Sequence, residues 1–195
     1  IEEGAIIYEI REFISDNHLI IYELEPPIWE LKTIENRSGN IIFNTNNFEV
    51  SGILLDHKIP TLAYKFKEQD TVKIEIKKSG FKGGKWVQEL KAAYESGNEM
   101  QAIVINGQAY PAAGLFHLLH TQIGDSLGII MDHAAHAANH EKIKSHFAHC
   151  NKVLIESFYK AADQAQAELN FHSYSTMSAK VMKDTDVKKA IPVNI

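Results

Sequence analysis

Glu75 and Lys77 stand two residues apart in Val72-Lys73-Ile74-Glu75-Ile76-Lys77, an apolar/charged alternation that predicts a β-strand. Alternate residues of a strand share a face, so the carboxylate and the ammonium would project together. A carboxylate ligates Mg²⁺ and a neighbouring lysine orients a water or steadies negative charge, which is the equipment of metal-dependent phosphodiester cleavage. A second carboxylate completes such a site, and Asp56, closing the apolar run 48–55, is the candidate. The competing reading is the solvated face of an antiparallel strand. Just downstream, Lys77, Lys78, Lys82 and Lys85 surround Gly80, Gly83 and Gly84 ahead of a predicted helix. Inward-turned backbone N–H groups and a helix N-terminus suit a phosphate. Lys78, Lys82 and Lys85 are therefore the expected contacts to a nucleic-acid backbone. The same letters also describe a lysine-rich surface turn.

Seven of the ten histidines fall between His117 and His149, as the pairs His117/His120, His133/His136 and His146/His149 with His140 added. On a helix, residues three apart are neighbours, so a pair supplies two ligands to Zn²⁺, with Asp132 or a histidine on the partner helix as the third. His133, His136 and His140 cluster best on one helical face and form the alternative metal set, with haem binding as a further use. Polar helix faces explain the same residues without a ligand. No His-Glu-x-x-His, P-loop or Gly-x-Ser-x-Gly pattern is present. Cys150, the single cysteine, excludes a disulfide framework and reads as a buried thiol.

The elements that must position these groups follow from periodicity. Ile6, Ile7, Ile10, Phe13 and Ile14 fall at helical spacing and predict an N-terminal helix. Short β-rich runs at 19–24, 28–34, 41–43, 48–55, 62–66 and 72–76, divided by turn residues, predict an antiparallel meander. Residues 85–96 read as a helix stopped by Gly97, and 102–105 as a strand buried on both faces. Apolar stripes over 116–134 and 143–169 predict a helical hairpin covering the sheet. Residues 177–189 suggest a short helix before a tail. The fold class expected is α+β: an antiparallel meander with an N-terminal helix and a C-terminal helical hairpin. It is read as a single domain over 1–195, with a strand-rich half (1–110), a hairpin (111–170) and a tail (171–195).

The order of helix 6–14, a strand ending in Asp56, the Glu75-Ile76-Lys77 strand, helix 85–96 and strand 102–105 resembles the core of PD-(D/E)xK-type nucleases. That resemblance implies a metal at Asp56 and Glu75, water activation at Lys77 and substrate approach at Gln88. It also implies an auxiliary acid at Glu9 or Glu12. The pattern differs from the family's in lacking Pro-Asp before Glu75 and in inserting a strand at 62–66.

With 45% hydrophobic and 23% charged residues in 195, the chain has the composition of a soluble globular domain with one substantial core. A formal charge of -5 gives no global attraction for nucleic acid, so such binding requires a local basic patch. A protein partner at the helical hairpin or an exposed sheet edge is the non-enzymatic alternative. No apolar run approaches the ~20 residues of a bilayer span. No signal peptide is recognised, and a start at Ile1 reads as a processed chain or a domain of a longer one.

Overall fold

Short runs of Ile, Val, Leu, Phe and Tyr, interrupted every few residues by Asn, Gly or Pro, favour strands over long helices. A computed structural model describes residues 6–193. Strands β1 (Tyr8–Ser15), β2 (His18–Leu24) and β3 (Leu31–Ser38) form a three-stranded antiparallel sheet. Strands β4 (Ile41–Asn44), β5 (Phe48–His57) and β6 (Ile59–Glu68) continue as a meander. The chain from Gln69 to Gly124 then builds a compact unit of its own. It holds β7 (Thr71–Ile74), α1 (Ile76–Ser79), α2 (Trp86–Glu95), β8 (Ala102–Ile105), β9 (Gln108–Pro111) and β10 (Leu119–Gln122). From Asp125 onward the polypeptide rejoins the first unit. There it forms β11 (Ser126–Ile130), α3 (Ala137–Phe147), β12 (Lys152–Glu156), α4 (Gln164–Leu169), α5 (Ser175–Asp184) and β13 (Ala190–Val193).

The main sheet of the first unit has the order β13-β12-β11-β6-β5-β4. Strands β11, β12 and β13 run parallel, and the rest pair antiparallel. One sheet face carries Ile53, Leu55, Ala63, Ile130, Val153 and Ile155, packed with Ile143 and Phe147 of α3 and Val181 and Met182 of α5. Each large side chain so buried contributes about 1.5–3 kcal/mol relative to exposure. Gly128 makes the approach of α3 feasible: a Cβ there would lie 2.7 Å from Phe147 Cδ1. In the second unit, Trp86, Leu90 and Ala93 of α2 pack on Ile103, Ile105, Leu115 and Leu118. The Trp86 indole donates to the Lys82 carbonyl at 2.9 Å, fastening the glycine- and lysine-rich loop to its helix.

The α+β class holds, and several expected elements are corrected. The N-terminal helix is instead β1, paired with β2 from Tyr8↔Leu24 to Ser15↔His18. β-Branched isoleucines fit either period, and a partner strand decided the case. The 111–170 hairpin is replaced by a 3₁₀ helix (Ala112–Leu118), β10, β11, α3, β12 and α4. Its four-residue apolar step also matches the two-residue strand period, and Gly124 and Gly128 weaken a long helix. Strand β8 buries Ile103 and Ile105 in the core with Trp86 and Leu90 of α2 and leaves Val104, on its opposite face, exposed. The strand expected over 72–76 ends at Ile74, leaving Glu75 to cap α1 and placing Lys77 on that helix. The expected tail holds α5, the short C-terminal helix, and β13, which pairs parallel with β12. The end of that tail, Asn194 and Ile195, lies outside the described residues, as do residues 1–5. Among the described residues, no helix is long and apolar enough to cross a membrane.

Candidate metal centre

Strand direction assembles the site. β5 is antiparallel to β6, β6 is antiparallel to β11, and β11 is parallel to β12, so β5, β11 and β12 end at the same sheet edge. His57 is the last residue of β5, Asp132 lies two residues beyond β11, Glu156 closes β12, and His172 follows α4. Ligand atoms of His57, Asp132 and His172 all lie within 4.8 Å of one another. Ligands at Zn²⁺ distances of ~2.0–2.2 Å stand about 3.4 Å apart in a tetrahedron, so this cluster needs to contract by about an ångström to close on an ion.

Both imidazoles are already oriented. His57 Nδ1–H donates to the Phe171 carbonyl at 2.8 Å, and His172 Nδ1–H donates to the Glu156 carboxylate. Each ring is thus tied through Nδ1, leaving Nε2 as the nitrogen that could face a metal. The rings meet edge to face with centroids 4.4 Å apart. Thr61 on β6 donates to the Asp132 carbonyl at 2.7 Å, holding the third member. Three of the left-handed non-glycine residues sit at or beside the cluster: Lys58 (φ 70°), Asp132 (φ 23°) and Phe171 (φ 60°). Such conformations cost about 1–3 kcal/mol each and persist where the surroundings over-determine them. Here the Asp56 carboxylate accepts the Lys58 N–H at 2.9 Å, and the Lys58 ammonium lies 5.7 Å from the Phe171 ring centroid.

Behind the cluster lies a buried acid. Glu156 is fully buried and also accepts the His133 N–H at 3.1 Å. Burial pushes its carboxyl pKa up, while the His133 amide and the His172 imidazole pull it back. Burial drives the His133 imidazole down to about 3, so this ring is neutral at ordinary pH. Asn139, also buried, bonds both the N–H and the carbonyl of Asp56 at 2.9 Å and the Ala134 carbonyl at 2.9 Å. One side chain thereby ties the end of β5 to the start of α3.

The chain is similar to ribonuclease Z. It is 27% identical over 191 residues to that of Chlamydia trachomatis serovar D, covering 96% of this chain and 55% of the relative. The serovar L2 protein is 26% identical over the same length. The chain thus spans about half the length of the curated relatives it matches. No family model matches. The crystal structure of human tRNase Z, short form, overlays 79% of this chain and 38% of its own at a TM-score of 0.47 and 12% identity, too loose to carry an assignment.

Of the residues singled out from sequence, Asp56 and Asp132 lie at this sheet edge. Asp56 lies in the first unit, where its carboxylate accepts from His136 Nε2 at 3.0 Å; that bond holds its pKa below the usual range. Glu75 belongs to the second unit and is ion-paired with Lys78, which likewise lowers its pKa. Lys77 and Lys82 are exposed, and Lys85 reaches Glu89 at 3.4 Å. Gln88 is exposed on α2; Glu9 pairs with Arg11, and Glu12 accepts from the Tyr22 hydroxyl. His133, His136 and His140 do not belong to the three-group cluster found among the described residues. His117 and His120 fall in different elements, and His149 bonds Asp186 at 3.0 Å. Sequence reasoning passed over His57 and His172. A signal existed for His57: three apolar runs end in acid or histidine, at Leu55-Asp56-His57, Ile130-Met131-Asp132-His133 and Ile155-Glu156. His172 carries no such mark.

Proposed function

We propose that His57, Asp132 and His172 hold a divalent cation and that this centre serves phosphodiester cleavage in RNA. The observation that carries the reading is the convergence of three ligand atoms within 4.8 Å with both imidazoles already tied at Nδ1. Similarity to ribonuclease Z supports RNA as the substrate class. Two imidazoles and one carboxylate suit Zn²⁺ or a similar transition ion better than Mg²⁺, which prefers oxygen ligands. A cation there would supply Lewis-acid charge to the phosphodiester. The chain's own groups have defined tasks. Phe171 and Glu156 fix the two imidazoles, and Glu156 keeps a proton on His172 Nδ1. Lys58, exposed beside His57, offers local positive charge in a protein of net charge -5.

Calorimetric titration with Zn²⁺, Mn²⁺ and Mg²⁺ tests the reading. One site is expected for Zn²⁺ or Mn²⁺, weakened at least about tenfold in His57→Ala and Asp132→Asn proteins whose circular dichroism is unchanged. Metal-stimulated cleavage of RNA should vanish in the same variants. Equal metal affinity in wild type and both variants overturns the centre.

A further inference from the structure

Beside the cluster stands an aromatic array that metal binding does not use. Phe158 lies two residues beyond Glu156, and its ring stacks on His172 with centroids 5.5 Å apart at an interplanar angle of 28°. Tyr159 meets Phe158 edge-on at 4.9 Å and His172 at 5.7 Å. His172 in turn contacts His57, so the rings run without a break from Phe158 to the proposed metal ligands. Phe158 is nevertheless 49% exposed. Half of a large apolar ring is thus left in water at a place where the chain fully buries Glu156.

The segment that presents this ring is held. Tyr159 bridges Tyr174 in parallel fashion, and its carbonyl accepts the Ser175 N–H at 2.9 Å. The Tyr159 hydroxyl accepts from Asn170 Nδ2 at 2.7 Å. The open part of Phe158 is therefore a prepared surface on a fixed loop.

We infer that Phe158 is a stacking platform for an unpaired nucleobase next to the phosphodiester held at His57, Asp132 and His172. This rests on the proposed metal centre. A base has an apolar π-face that an aromatic side chain covers whatever the base identity. Within a duplex both faces are covered by neighbouring bases, so a ring at the reaction centre selects RNA that is single-stranded or splayed at the cleaved bond. The platform therefore predicts tolerance of base identity together with discrimination against a continuous duplex.

The test compares wild type with Phe158→Ala, Phe158→Leu and Phe158→Trp, each confirmed as folded by circular dichroism. Anisotropy reads the affinity for a short labelled oligouridylate and for a blunt RNA duplex, and calorimetry with Zn²⁺ reads the metal centre. Alanine and leucine should weaken oligouridylate binding about tenfold, within the range of base–aromatic stacking. Tryptophan should preserve it, while duplex binding and Zn²⁺ affinity stay within twofold of wild type. Unchanged oligouridylate affinity in Phe158→Ala, or full rescue by leucine, overturns the platform, as does wild type that binds no oligouridylate. Loss of the metal reading shows separately, as a wild type whose Zn²⁺ titration His57→Ala leaves unaltered.

Discussion

At the scale of single residues, buried histidines link this protein's stability to pH. His146 faces Ser51 Oγ at 3.3 Å and Asn40 Nδ2 at 3.5 Å, and its carbonyl accepts the Lys65 ammonium at 2.8 Å. Burial lowers its pKa from 6.5 to about 4, with Lys65 adding to the shift and Asp16 opposing it. In the unfolded chain the imidazole takes its proton first as pH falls, so acid favours unfolding. The contribution is fully present above pH 6.5 and is lost as pH falls towards about 4. Urea denaturation across that window should show a shallower pH dependence for His146→Gln than for wild type; identical slopes would remove His146 as a cause. Residue identity alone conveyed little of this. His146 was visible as half of a His-x-x-His pair, but its partner His149 points to Asp186, and Ser51 lies on a distant strand.

At the scale of elements, the site depends on how strands and helices are pressed together. Phe147 of α3 lies against Gly128 of β11, where an added Cβ would meet Phe147 Cε1 at 2.9 Å and Val153 Cγ2 at 3.1 Å. Gly128→Ala should therefore destabilise the protein by about 1–3 kcal/mol, the usual range for overpacking. A fall in the denaturation midpoint at unchanged m-value measures it, and an unchanged midpoint would show that α3 can shift freely. The strands of the meander and helices α2 and α5 were legible because alternation, turn residues and a glycine stop act locally. The N-terminal helix and the helical hairpin were misread for the complementary reason. Isoleucine-rich runs satisfy both periods, and the partner strand that decides between them lies elsewhere in the chain. Glu75 shows the same limit at a boundary, because the alternation continues through Lys77 while the backbone turns after Ile74.

At the scale of the whole molecule, residues 69–124 form an excursion between two adjacent strands of the main sheet. Strands β6 and β11 pair directly, Lys67 opposite Ser126, and the Glu68 N–H donates to the Asp125 carbonyl at 2.9 Å. The excursion has its own core around Trp86 and Leu90. Replacing 69–124 by a short Gly-Ser turn should leave the first unit folded and its Zn²⁺ affinity within about threefold, because loop closure there is already made by the sheet. Calorimetry and circular dichroism on the shortened chain measure this; loss of the fold would show that the first unit depends on the excursion. No linker announces the division, since the chain leaves and re-enters through neighbouring strands. By itself the sequence determined the α+β class, most short strands, and the presence of acids and histidines after apolar runs. These rest on local periodicity and on the cost of burying charge. Only the tertiary structure decided that His57, Asp132 and His172 meet while Asp56 and Glu75 belong to different units. The three are brought together by the shared direction of β5, β11 and β12 and by the loop after α4, and strand order and direction across more than a hundred residues leave no local trace.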